Sequence, residues 1–91
     1  MVIAWVYILT NSNHTVLYVG STVDLVTRVW EHKTKQNPKS FSARYNLNKL
    51  IYFEEFENVP HARARETFIK KKSNEWKIEL VNLTNPSWIE L

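Results

Sequence analysis

The sequence predicts a small α/β domain of the α+β kind, a three-stranded, mainly antiparallel sheet flanked by helices in the order β-β-α-β-α-α. Three observations carry this. Two β-branched and aromatic runs, residues 2–9 (VIAWVYIL) and 16–20 (VLYVG), are separated only by polar residues, including the turn cluster Asn11-Ser12-Asn13-His14. Three later stretches read as helices, each preceded by residues that can start one. A third strand-like run, 49–57 (KLIYFEEFE), lies between them, so sheet and helices must share one core.

Taken in order, the first two runs make an antiparallel hairpin. Ser21-Thr22 offers a cap and Asp24 an acid in the first turn of a helix expected to reach Lys35, with Leu25, Val29 and His32 at helical spacing. Asn37-Pro38 breaks it. Residues 39–48 show little periodicity and read as a loop, before the third strand. Asn58-Val59-Pro60 turns the chain into a helix over 61–72. Ser73 or Asn74 caps the last helix, which places Trp76, Leu80 and Leu83 on one face and stops at Asn85-Pro86.

With 91 residues the chain reads as a single domain over 1–91. It has no cysteine, which removes disulfides, thiolate metal sites and cysteine nucleophiles together. Its one glycine, Gly20, excludes glycine-rich phosphate loops. No apolar run is long enough to span a bilayer, and residues 1–9 lack the features of a signal peptide, so a cytoplasmic domain without membrane contact is expected. The net charge is +3, yet residues 1–23 carry no charged side chain. The basic residues gather at 28–44 and 61–77, flanking the uncharged hairpin, which suits a polyanion such as nucleic acid. Solvated helix faces would look the same.

Strand alternation puts Trp5, Tyr7 and Leu9 on one face, and Val16, Tyr18 and Gly20 together on the next strand. Pairing Leu9 with Val16 would set Tyr7 opposite Tyr18 and Trp5 opposite Gly20. Asp24, Arg28, His32 and Lys35 share one helical stripe. There an arginine could hold a phosphate and a histidine could move protons, or Asp24 and Arg28 could simply pair beside a solvent-facing His32. Glu66 lies four residues after Ala62 and three before Ile69, on a stripe that turns toward the sheet. It would need a cation, whether Arg63, Lys70 or a metal ion. Phenols, arginine, histidine and carboxylate together are a workable set for phosphodiester hydrolysis.

The pattern resembles the GIY-YIG endonuclease superfamily, in particular its small single-domain bacterial members similar to the N-terminal nuclease domain of the excinuclease C subunit. Trp5-Val6-Tyr7 stands for G-I-Y and Tyr18-Val19-Gly20 for Y-I-G. Residues 21–28 (STVDLVTR) match S/T-x-D-L-x-x-R, with His32 following. Ala64-Arg65-Glu66, residues 41–46 (FSARYN) and residues 85–88 (NPSW) complete the likeness. The first family glycine is replaced by Trp5. The resemblance implies a metal-dependent endonuclease acting on nucleic acid, with DNA expected and repair or mobile-element roles both open. Tyr7, alone or with His32, would be the base, Tyr18 would hold phosphate or water, and Arg28 would stabilise the transition state. Glu66 would bind a single Mg²⁺ or Mn²⁺. Gly20, Ser21, Lys33, Lys35, Arg44, Tyr45, Lys70 and Asn85 are expected at the substrate. Two other readings fit the residues: a nucleic-acid-binding module without turnover, and an assembly domain using Phe41, Tyr45 and Trp88.

Overall fold

The computed structural model describes residues 1–35 and 45–91. Strands β1 (Ala4–Thr10), β2 (Leu17–Thr22) and β3 (Lys49–Phe56) form one antiparallel sheet in the order β2-β1-β3. Helices α1 (Leu25–Lys33), α2 (Val59–Lys70) and α3 (Asn74–Thr84) complete the expected order β-β-α-β-α-α. Strand alternation gives the sheet a core on each face. Val6 and Ile8 of β1, with Val19 and Ile51, pack beneath Ala62 and Ile69 of α2 and Val81 of α3. On the other face Tyr7 and Leu9 meet Leu47 and Leu50, with Leu25 and Val29 of α1 against them. Leu47 belongs to this core although it falls in the stretch read as loop.

The hairpin register differs from the expectation by two residues. Tyr7 lies opposite Gly20, Leu9 opposite Tyr18 and Trp5 opposite Thr22. The cause is the turn. Asn11 Oδ1 accepts from the backbone N–H of Thr15 at 2.8 Å and of Val16 at 3.3 Å, and His14 takes a left-handed conformation with φ 56°. These bonds occupy residues through Val16, so pairing starts at Thr10–Leu17. A shift of two keeps every side chain on its expected face and changes only which neighbours meet.

The cap of α1 also differs. Ser21 and Thr22 stay in β2, paired with Val6 and Trp5, and the N-cap is Asp24, whose Oδ1 accepts from Thr27 N at 3.1 Å. The helix stops at Lys33, and Lys35 turns left-handed with φ 53°, which takes it off the stripe expected to run from Asp24. Asn58 and Ser73 cap α2 and α3. In α3 the expected Leu83 is 81% exposed, and Val81 is the buried residue instead. Asn85, one turn after Val81, bonds to the backbone of β3, and that contact selects the face of α3 that is covered. At the α2–α3 elbow, Arg65 pairs with Glu54 and lies over the Phe68 and Trp76 rings, with Lys72 above the same two rings. The break at Asn37-Pro38, Phe41 and Arg44 lie outside the described residues. Among those described, no helix is long and apolar enough to cross a membrane.

Candidate active site

Tyr7 stands at the middle of the sheet and is 2% exposed. Its ring lies across Gly20: a Cβ built there would sit 2.5 Å from the phenol oxygen. The glycine therefore makes room for Tyr7 itself, which corrects the expectation that Trp5 lies opposite it. The Tyr7 hydroxyl is 3.2 Å from His32 Nε2. His32 faces the sheet because it continues the Leu25–Val29 face of α1, so it is half-buried and not directed at solvent. The Tyr18 ring completes the group, its centroid 6.3 Å from that of Tyr7 and 5.6 Å from that of His32.

Burial raises the Tyr7 phenol well above its usual range; Tyr18 and the charge of Glu66 add to this and Arg28 opposes it. Burial lowers the His32 imidazole, the Arg28 charge lowers it further, and Glu31 opposes both. The pair is thus a neutral phenol beside a neutral imidazole, and Nε2 is the acceptor in the tautomer that carries its proton on Nδ1.

Glu66 approaches from the other side of β2. Ser21, the residue after Gly20, donates its hydroxyl to Glu66 Oε1, and Lys70 Nζ is 2.5 Å from Oε2. Burial works to raise the Glu66 carboxyl, but these two bonds and the Lys70 and Arg63 charges hold it below its ordinary value. Ser21 and Lys70, both expected at the substrate, are thus bound to Glu66. Beside them a cleft of about 210 Å³ opens between the end of β2 and the start of α2, with Arg28 and Arg63 in its wall and Ala62 behind. Arg28 joins the two halves: it lines this cleft while its charge acts on both Tyr7 and His32. It does not pair with Asp24; its carboxylate contact is Glu31, at 3.7 Å.

Among the described residues no group of three or more His, Cys, Asp or Glu side chains gathers, and the carboxylate a divalent ion would use here is Glu66. That donor set fits Mg²⁺, which commonly keeps several waters and takes one carboxylate plus substrate phosphate oxygens.

Other expected residues lie elsewhere. Lys33 pairs with Glu90 in the C-terminal tail. Tyr45 is 43% exposed, and Trp88 is partly buried against the core, its indole donating to Asn82 Oδ1 at 2.6 Å. Asn85 is 5% exposed; its amide donates to the carbonyls of Ile51 and Ile89, and its Oδ1 accepts from Ile89 N. The side chain that looked like a substrate contact is therefore the clasp that ties the tail and α3 to β3. Asn85→Ala should lower unfolding stability by about 2–3 kcal/mol in urea titrations, because buried carbonyl groups lose their donors. Arg63 enters the sequence reading only as one possible cation for Glu66, and nothing in the spacing names its place in the cleft beside Arg28.

Comparison with known proteins bears on the family and the fold. A family model described as the GIY-YIG catalytic domain matches residues 3–79. A UPF0213 protein of Clostridium perfringens is 37% identical over 78 residues, covering 86% of this chain and 82% of the relative. One from Pediococcus pentosaceus is 36% identical over 84 residues, covering 87% and 86%. The NMR structure of the UPF0213 protein from Bacillus halodurans superposes with a TM-score of 0.58 at 26% identity, covering 93% of this chain and 88% of that one.

Proposed function

The chain belongs to the GIY-YIG family, and from that membership we propose that it is a metal-dependent endonuclease that hydrolyses phosphodiester bonds in DNA, acting in the cytoplasm. The observation that supports this best is that two bonded pairs flank β2 at consecutive residues, one on each face: Tyr7–His32 over Gly20, and Glu66 on Ser21.

In this reading Tyr7 takes a proton from the attacking water and passes its own to His32 Nε2, 3.2 Å away. Tyr18, beside both rings, orients the water or a phosphate oxygen. Arg28 faces the negative charge that builds on the phosphate, from the wall of the cleft beside Glu66. Glu66 would hold the divalent ion, Mg²⁺ or Mn²⁺, once Lys70 releases Oε2. The ion would supply Lewis-acid polarisation of the phosphate. The hold of Lys70 on Glu66 favours one other reading, a nucleic-acid-binding module without turnover.

Branched and single-stranded DNA incubated with the protein and Mg²⁺ or Mn²⁺ should be nicked, and chelator should stop the reaction. Arg28→Ala should slow nicking by roughly 10²–10³-fold, and Glu66→Gln should remove the response to metal, with circular dichroism unchanged in both. DNA binding with no product from the wild type would establish the binding module. Equal cutting by all three proteins would overturn the site.

A further inference from the structure

We propose that Arg63 and Arg28 together form a binding site for a phosphate of the nucleic-acid backbone, in the cleft between β2 and α2. This rests on the nuclease reading for its biological ligand, but its physical basis is independent. Two arginines line one cleft of about 210 Å³, and no carboxylate is among the residues lining it. The nearest acid on α2, Glu66, already has Ser21 on one oxygen and Lys70 on the other. Among the described residues Arg63 has no ion pair within 4 Å, and the one contact of Arg28 is made through Nε, at 3.7 Å. Two like charges lining the same cleft repel each other. An anion between them reverses the sign of that interaction.

A phosphodiester suits the site because a guanidinium can give two parallel N–H bonds to phosphate oxygens. The floor excludes bulk: Ala62 is 1% exposed and Ala4 likewise, so the cleft presents charge above a small apolar base. Arg63 lies one turn before Glu66, so a strand held by Arg63 passes close to the carboxylate. Arg63 is then a positioning residue, setting where the strand lies, while Arg28 is shared between this phosphate site and the Tyr7–His32 pair.

The probe is inorganic phosphate at constant ionic strength, added to the ¹⁵N-labelled full chain without divalent metal. The Nε–Hε resonances of Arg28 and Arg63 should move together along one saturating curve. With a single-stranded oligonucleotide in chelator, Arg63→Ala should weaken binding about tenfold at low salt and reduce the salt slope by about one, whereas Arg63→Lys should keep most of the slope. Lys71→Ala, an exposed change outside the cleft, should cost less than twofold. Alanine is a good helix former, so Arg63→Ala leaves α2 intact. Phosphate that shifts neither arginine, or an Arg63→Ala variant that binds DNA like the Lys71→Ala variant, would overturn the proposal even if the wild type cuts. Phosphate seated on both arginines with no DNA bound or cut would keep the cleft and sink the nuclease reading instead.

Discussion

Gly20→Ala should both destabilise the protein and remove its activity, and the same clash should cause both. A Cβ at this position would lie 2.5 Å from the Tyr7 hydroxyl oxygen, 2.7 Å from Cζ and 3.1 Å from Cε1. Three atoms of one rigid ring cannot be relieved by turning a flexible chain end; the whole ring has to move. Tyr7 is packed with Leu9, Leu47 and Leu50, so the move disturbs that core and pulls the hydroxyl from His32. Overpacking of this kind costs about 1–3 kcal/mol. The backbone gives no separate reason for glycine, because Gly20 does not have a positive φ. A double-mutant cycle isolates the cause. With Tyr7→Ala already in place, Gly20→Ala should be nearly silent in urea unfolding, giving a large coupling energy. A full cost in that background would mean the ring is not what the glycine accommodates.

The order of elements was legible because it rests on local signals: β-branched runs, capping residues and proline breaks. The partial burial of Glu66 was legible for the same reason, from its spacing to Ala62 and Ile69. What could not be read were contacts between residues distant in the chain. Nothing near Glu66 names Ser21 as its partner, 45 residues away. The register followed from one side chain, Asn11, folding back on its own turn; an alternating pattern fits a two-residue shift equally well. That shift exchanged the neighbours of Gly20 and so changed its meaning. At Asn85 a motif match suggested substrate, while the structure shows a buried side chain with three backbone bonds.

Tyr7→Phe should leave the fold and DNA binding intact and slow cleavage by roughly 10²–10⁴-fold, the range for loss of a positioned proton-transfer group. The ring that fills the space over Gly20 remains, and only the hydroxyl bonded to His32 is lost. The pH dependence then identifies the final proton acceptor. Burial and Arg28 hold the His32 imidazole below its ordinary value of 6.5. Between the folded value and 6.5 the unfolded chain binds the extra proton, so stability rises with pH through that window and is complete above it. As pH falls through the folded value, the imidazole gains its own proton and Nε2 can no longer accept from Tyr7. Stability should therefore decline as pH falls from 6.5 to the folded value, and nicking by the wild type should hold below pH 6.5 and fall as pH drops through the folded value. His32→Gln should lower the plateau and abolish that limb in both measurements. Because the amide cannot titrate, a limb that persisted at the same pH in this variant would assign the proton to another group and leave Tyr7 without its acceptor.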